Sequence, residues 1–399
     1  MNNFRFWSPT EFAFGRNTVS RVSALIKKWY QVANPGSGKL KVLIHYGGGS
    51  VVRSGLMAQV EHNLQNEFID YVKLGGVQPN PNETLVYEGI ELCRKKNVNF
   101  ILAVGGGSVI DSAKAIATGV PYKGDFWNIF EGKVEVNKVL PVGTILTIPA
   151  AGSEASSSMV ITNEKLGLKR GAGSPLLRPV FAIMDPTLTF TLPAYQTACG
   201  LTDMMAHIFE RYFTQTPNVE VTDRLCEGLL KAIIKEGPMA IDQPTNYDVR
   251  ANVMWAGTLA HNGICGTGRE EDWATHGLEH ELSAHYGVAH GAGLAVMFPA
   301  WMEYVYTSGI DRFVQFAERV WDIQFTGDKK ATALAGIKAT KDFFSSIGMP
   351  VSFKELGAKE EDIDKLIETL RINQGEEFGS FRKLDMKDAR AIYEIAARY

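Results

Sequence analysis

The stretch NFILAVGGGSVIDSAK (99–114) decides the fold. It opens on an uninterrupted apolar run, as a strand covered on both faces requires. Three glycines and a serine follow, and then VIDSAKAIA with helical spacing. A strand that turns through glycine into a helix is the repeating piece of a parallel sheet. The same order recurs upstream, where LKVLIHY (40–46) runs into HYGGGSVVRSG (45–55). VLPVGTILTI (139–148) and VFAIMD (180–185) read as further buried strands, with helix-like segments near 51–66, 83–96 and 108–118. The two GGGS runs are best taken as two similar strand–turn units, not as a repeat array. The first part of the chain is therefore expected to be an α/β domain with helices on both faces of a parallel sheet.

After Pro193 the pattern changes. β-Branched runs become rare, and segments at about 194–214, 218–236, 246–263, 269–285, 309–322, 328–346, 359–370 and 385–397 look helical. DPTLTFTLP (185–193) is the natural punctuation, which predicts an α/β domain over 1–193 and an all-helical domain over 194–399. The length of 399 residues fits two or three domains at roughly 150 each. QVANPGSGK (31–39) reads as a small surface insertion. The longest apolar stretches, around 139–151 and 292–301, are broken by proline, and none approaches the ~20 residues of a membrane span.

Composition excludes several classes. A net charge of −3 argues against a nucleic-acid binder or a polybasic membrane-surface protein. The opening MNNFRFWSPTEF lacks the basic cluster and apolar run of a secretory signal. Cys93, Cys199, Cys226 and Cys265 are widely spaced and form no CxxC, which suits free thiols in a reducing cytoplasm.

The glycine runs have two explanations. One copy alone is accounted for by a tight strand–helix turn. Two copies at the ends of parallel strands favour a phosphate cradle, because glycine lets backbone amides approach a ligand and a helix N-terminus adds about half a positive charge. The second copy is the better candidate, since Ser108 is placed to cap a helix beginning at Val109, with Asp111 in its first turn. Neither copy is GxGxxG or a P-loop. At the first copy, Gly47 stands where many NAD sites carry an acidic residue for the ribose 2′-hydroxyl, and Ser50 and Arg53 follow. A 2′-phosphate is not repelled there, which favours NADP(H) and leaves NAD(H) open.

Histidine is distributed unevenly. Of the eight in the chain, four fall within 276–290. In LTDMMAHIFERY (201–212), Asp203 and His207 are four apart and so neighbours on a helix, while Leu201, Met205, Ile208 and Tyr212 form a different face. In EDWATHGLEHELSAHYGVAHG (271–291), His276 and His280 are also four apart, with Trp273 on their face. His290 is fourteen residues past His276, about 21 Å along one straight helix, so one metal reaches both only if the chain turns back, and Gly287 offers the place. The next histidine after His280-Glu281 is His285, off the face that an HExxH zinc site needs. Any one of these histidines alone is explained as a buried, hydrogen-bonded side chain. An aspartate with three histidines is a sensible site for iron(II) or zinc. Such an ion acts as a Lewis acid that stabilises an alkoxide, and an alkoxide donates hydride to nicotinamide. The two halves thus fit one reaction, metal-assisted alcohol oxidation or the reverse aldehyde reduction.

With these motifs in view, the sequence resembles the iron-containing (group III) alcohol dehydrogenase family, and within it the butanol dehydrogenase-like branch. The resemblance runs from FWSPTEFAFG (6–15) through YGGGSV (46–51), GVQPNP (76–81), GGGSVIDSAKAIA (105–117), DPTLTFTLP (185–193) and TDMMAH (202–207) to DWATHGLEHELSAHYGVAHGAGLA (272–295). It implies an α/β dinucleotide-binding domain followed by an all-helical metal domain, with Asp203, His207, His276 and His290 as metal ligands. His280 matches a histidine near nicotinamide and substrate, discussed as a proton relay. Gly106, Gly107 and Ser108, with Asp111 nearby, match the diphosphate loop. Asn80, Thr147 and Lys169 match positions near the dinucleotide, and Gly47, Gly48 and Ser50 match the adenosine-ribose end. His285 matches no role and reads as a loop histidine, and His45, His62 and His261 read as background. The resemblance further implies Fe2+ or Zn2+, an alcohol or aldehyde substrate such as butanol or its aldehyde, a cytoplasmic homodimer, and no nucleic-acid or membrane partner. Polyol dehydrogenases and dehydroquinate synthase-like lyases share the architecture, and their metal sites usually lack the Asp203–His207 pairing.

Overall fold

The computed structural model describes residues 1–35 and 38–398; of the expected insertion at 31–39, Gly36 and Ser37 lie outside the described residues. The chain forms two compact units. One comprises Trp7–Leu166 and Arg170–Thr191; the other comprises Met1–Phe6, Gly167–Lys169 and Leu192–Tyr399.

The first unit is built on strands β1 (Glu11–Phe14), β2 (Lys41–Gly47), β3 (Asp70–Val77), β4 (Phe100–Gly105), β5 (Val142–Leu146), β6 (Ser158–Asn163), β7 (Leu168–Gly173, whose first two residues group with the other unit) and β8 (Phe181–Met184). Its helices are α1 (Val22–Ala33), α2 (Ser50–Arg53), α3 (Leu56–Asn66), α4 (Glu83–Lys96), α5 (Gly107–Gly119) and α6 (Trp127–Phe130). Six strands form one parallel sheet in the order β1-β8-β5-β4-β2-β3, while β6 and β7 pair separately. Side chains alternate across the sheet. Val42, Ile44, Phe100, Leu102, Val104, Ile145 and Ile183 pack with Leu25, Ile26, Val60 and Leu64 of α1 and α3 on one face. The intervening Leu43, Ile101 and Ala103 are buried too, which is why these strands read as continuous apolar runs. On α4, Gly89 is required for close packing: a Cβ there would lie 2.3 Å from Cδ1 of Ile116 on α5.

The sequence reading does not find β1, β3 or α1. The cause is physical: β1 and β3 are the edges of the sheet, β1 has only four residues, and DYVKLGGV carries charge and glycine where a central strand carries apolar side chains. The order of strands has one consequence for ligands. From β2 the chain goes to β3 on one side and then to β4 on the other, so the loops after β2 and β4 part at a topological switch point, the place where open α/β sheets bind ligands. Both GGGS runs lie there.

The second unit consists mainly of α7 (Ala194–Tyr212), α8 (Glu220–Asp242), α9 (Tyr247–His261), α10 (Ala274–Tyr286), α11 (His290–Val305), α12 (Ile310–Trp321), α13 (Lys329–Ser346), α14 (Phe353–Leu356), α15 (Ile363–Gln374) and α16 (Met386–Ala397), with a short antiparallel ribbon of β9 (Glu377–Phe378) and β10 (Leu384–Asp385). Helix α7 packs against α8, α9 and α11. Every residue from Thr197 to Tyr212 is buried, so the polar side of this helix faces protein, not solvent, and its charged groups must pair internally. The proline at 299 does not break the stretch 292–301: it sits inside α11, whose complete burial from Gly291 to Met302 outweighs one lost backbone bond. No described helix is long and apolar enough to cross a membrane. All four cysteines are free and buried.

His45 shows what the sheet does to a polar residue. It points from β2 toward α5, its Nδ1–H donates to the Leu74 carbonyl at 2.9 Å, and its Nε2 accepts from the Ser112 hydroxyl at 2.8 Å. Burial lowers its pKa from 6.5 to about 4. The neutral ring therefore supports the fold above pH 6.5, and that support, up to roughly 3 kcal/mol at 1.36 kcal/mol per unit, fades as pH falls from 6.5 toward 4. In protein labelled at histidine, the ring resonances of His45 should stay unchanged between pH 7 and pH 5.5; a titration midpoint near 6.5 would contradict this burial.

Candidate active site

Within the α/β unit, the candidate nucleotide-binding feature is the N-terminus of α5. This helix begins at Gly107 with Gly106 as its cap residue, and no side chain caps it. Ser108 is the second helical residue, so it does not cap the helix as the sequence suggested; the turn enters the helix two residues earlier than that reading has it. An uncapped start leaves the first amides without intrahelical partners, which is the ready-made setting for an anion. The glycines themselves answer largely to packing. A Cβ on Gly105 would lie 2.5 Å from Val109 Cγ2, and one on Gly106 would lie 2.9 Å from Ile148 Cβ.

Asp111 is not in the first turn and does not line the loop. Its carboxylate accepts from the amide of Val160 at 2.9 Å and from the Ser153 hydroxyl. Three residues on, buried Lys114 donates to Ser153 Oγ, Ser156 O, Ser156 Oγ and Ser158 O at 2.8–3.1 Å. Burial lowers the pKa of this lysine to about 8. Both charges of the DSAK segment thus clamp the segment 153–160 onto α5. Thr147 stands just past β5, its amide bonded to the Gly105 carbonyl at 3.0 Å. Asn80, between β3 and α4, takes a left-handed φ of 55°. At the first glycine run, Gly47 and Gly48 leave room: a Cβ on Gly47 would be in ordinary contact with the Val77 carbonyl at 3.5 Å, and one on Gly48 would touch nothing. Ser50 opens the short helix α2 behind Gly49, whose φ of 120° suits only glycine.

The helical unit has a candidate metal centre of its own. Helix α7 carries Asp203, His207 and Glu210 at i, i+4 and i+7, on one face. Helix α10 carries His276 and His280. It ends at Gly287 in a left-handed cap with φ 67°, and the chain reverses so that His290 opens α11. The His276 and His290 rings come to 5.3 Å between centroids. Ligand atoms of Asp203, His276 and His290 lie within 4.8 Å of one another. His207 is not part of that set. Its ring stacks edge-on to His276 at 4.8 Å, and its Nδ1–H donates to the Asp203 carbonyl at 2.8 Å.

The hydrogen bonds assign the tautomers. His276 Nδ1 faces Glu210 Oε1 at 2.7 Å, and His290 Nδ1 is bonded to Glu279 Oε2. With protons on Nδ1, each Nε2 keeps its lone pair. His276 Nε2 is buried and has no hydrogen-bond partner, and buried Asp203 Oδ1 lies 3.0 Å from His207 Nδ1 and 3.9 Å from His290 Nε2. A buried lone-pair nitrogen left without a donor is costly, and a cation shared with the neighbouring carboxylate would satisfy it. This donor set, two imidazoles and a carboxylate, suits a divalent transition metal. Burial holds His276 and His280 well below the ordinary imidazole value. Burial works against the Glu279 carboxylate, but His290 and Lys169 more than offset it and hold that group well below its usual range.

His280, half-buried on α10, stands 6.4 Å from the His276 ring and 5.6 Å from that of His290. Lys169, expected near the dinucleotide, groups with the helical unit, its Nζ 3.5 Å from His290 Nδ1 and 3.6 Å from Glu279. His285 belongs to the last turn of α10, not to a loop, with Asp362 at 3.7 Å. His261 is more than background: its ring lies 4.1 Å from that of His207, and its Nδ1 is 3.0 Å from Arg211. Sequence reading also passes over Glu210 and Glu279. The available signal was their spacing, seven residues after Asp203 and three after His276, where a helix returns to the same face.

The approach of α11 to α7 depends on Gly291. A Cβ there would fall 2.2 Å from the Cys199 carbonyl oxygen, a backbone atom that cannot swing aside. Gly291→Ala should displace the first turn of α11 and His290 with it. The expected result is at least tenfold weaker Zn2+ binding by chelator competition; unchanged affinity would show that the helix contact does not set the ligand position.

Comparison with known proteins identifies the family. Residues 9–186 match the family model for iron-containing alcohol dehydrogenase, and residues 197–397 match that for the C-terminal region of the Fe-containing alcohol dehydrogenase family. The probable NADH-dependent butanol dehydrogenase 1 of Bacillus subtilis is 41% identical over 397 residues, covering 99% of this chain and 100% of the relative. The NADPH-dependent aldehyde reductase YqhD of Escherichia coli is 38% identical over 400 residues, covering 99% and 100%. The crystal structure of NADH-dependent butanol dehydrogenase A from Thermotoga maritima gives a TM-score of 0.95 at 41% identity, covering 100% of this chain and 99% of that one. The chain therefore belongs to the iron-containing alcohol dehydrogenase family and is an enzyme of that oxidoreductase class.

Proposed function

We propose that this enzyme is a metal-dependent, NAD(P)(H)-linked alcohol dehydrogenase and aldehyde reductase acting on primary alcohols such as butanol and the matching aldehydes. One observation carries the reading: buried Asp203, the unpartnered Nε2 of buried His276, and His290 meet in a single cluster. Asp203, His276 and His290 would hold the ion, with His207 as the fourth ligand; Fe2+ is the proposed metal and Zn2+ an accepted one. When bound, the ion supplies Lewis acidity toward a substrate oxygen, and the nicotinamide supplies the hydride carrier. The remaining work falls to the chain. The free amides at the start of α5 receive the diphosphate, beside Thr147 and Asn80. Glu210 and Glu279 keep the imidazole protons on Nδ1. His280 is the proposed proton relay at the substrate. Relatives divide on the nucleotide, one named for NADH and another for NADPH. In this chain no carboxylate stands at Gly47, and NADP(H) is the proposed preference, with NAD(H) also accepted. A cytoplasmic homodimer completes the proposal.

Purified protein loaded with Fe2+ or Zn2+ should oxidise NADPH when given butanal. Asp203→Asn keeps the shape but removes the ligand charge, so metal content after dialysis should fall at least tenfold with little change in melting temperature. Full retention of metal would count against the site. For the ribose end, Gly47→Asp meets no steric bar and should lower the NADPH-to-NADH ratio of kcat/KM by about tenfold or more, since like charges set side by side repel. An unchanged ratio would refute the role given to Gly47.

A further inference from the structure

We propose that Glu210 and Glu279 are positioning residues of the metal site, each aiming one imidazole and together setting the register of α7, α10 and α11 around Asp203. The proposal rests on the metal reading above and extends it to side chains that would not touch the ion. Their connectivity is sequential. Glu210 on α7 serves His276 on α10, and Glu279 on α10 serves His290 on α11. Each ligand is thus aimed by a carboxylate on a helix earlier in the chain.

Glu210 has its side chain fully buried and takes three N–H donors: His276 Nδ1 at 2.7 Å, the His276 amide at 2.9 Å and the Trp273 amide at 2.8 Å. The two amides open α10, whose cap residue Trp273 has a left-handed φ of 66° and offers no side-chain cap. One carboxylate therefore caps a helix from outside and orients the ring on that helix, so ring and helix cannot move independently. Glu279 is likewise enclosed. It accepts from His290 Nδ1 and the Ser283 hydroxyl, with Lys169 Nζ at 3.6 Å. Gly293 on α11 makes room for it, since a Cβ there would lie 2.6 Å from Glu279 Oε1. A fully buried carboxylate is expensive to desolvate, and packing alone would favour an apolar residue at either place. Both carboxylates converge instead on the nitrogen opposite the one that faces Asp203. A carboxylate on the far nitrogen also raises the basicity of the near one, which strengthens a metal bond.

The test measures metal affinity and fold separately on the full-length protein. Zn2+ dissociation constants come from competition with a chromophoric chelator, Co2+ absorption bands report ligand geometry, and the melting temperature of metal-free protein reports the fold. Glu210→Gln and Glu279→Gln should each weaken Zn2+ binding by about 10–100-fold. The Co2+ bands should shift, and the metal-free melting temperature should stay within a few degrees. If Zn2+ affinity stays within twofold of the parent while metal-free Glu210→Gln melts lower, the carboxylate only caps α10 and the proposal is overturned. Asp203→Asn, measured alongside, separates the two layers. Loss of Zn2+ in Asp203→Asn with none in the glutamate variants sinks the positioning role alone. Full Zn2+ binding in Asp203→Asn overturns the metal site and the proposal with it.

Discussion

A buried carboxylate at Glu210 accepts the Nδ1 proton of His276 and two amides of the turn that starts α10. Hydrogen bonds to a charged group are worth about 1.5–3 kcal/mol each, and leaving such a group bare costs more than any one of them returns. Burial pushes the Glu210 carboxyl up to about 7 and the two amides at the start of α10 oppose that rise, so the burial of Glu210 and the start of α10 support one another. Once that start is set, His276 Nε2 must face Asp203, and the turn at Gly287 brings His290 back to the same point. The ligand cluster follows from this one constraint, with Gly291 allowing α11 to approach α7 closely enough to complete it.

An equivalent constraint organises the α/β unit. Asp111 and Lys114 are charged residues of α5 just past the glycine turn, and both hold the segment 153–160. That engagement suits an anion site. A carboxylate aimed into the turn would oppose a diphosphate, whereas the uncapped amides of α5 attract one through the helix dipole. Packing requires the glycines at 105 and 106, and the open helix end is the feature proposed to address a ligand.

Much of the fold was legible because both central strands and helices write their burial into the chain. NFILAVG and LKVLIHY are apolar throughout since both faces of the sheet are covered. Edge strands β1 and β3 lack that signature and were invisible. Helix α11 was missed for the opposite reason: a helix buried on every side has no amphipathic period, and Pro299 looked like a terminator. The family resemblance was legible from the histidine block and the glycine runs, and the family matches over residues 9–186 and 197–397 agree with it.

By itself, the sequence determined the α/β-then-helical order, the family, and the residue types able to hold a divalent ion, because spacing along a helix or strand is a local property. Only the tertiary structure decided which atoms meet. It drew Asp203, His276 and His290 into one cluster and left His207 beside it. It set Asp111 past the first turn of α5 and against the segment 153–160, placed Lys169 against His290, and gave Glu210 and Glu279 their partners. These outcomes depend on helix ends and close approaches between segments far apart in the chain, where one missing Cβ or one buried charge selects a single register among many that local spacing permits.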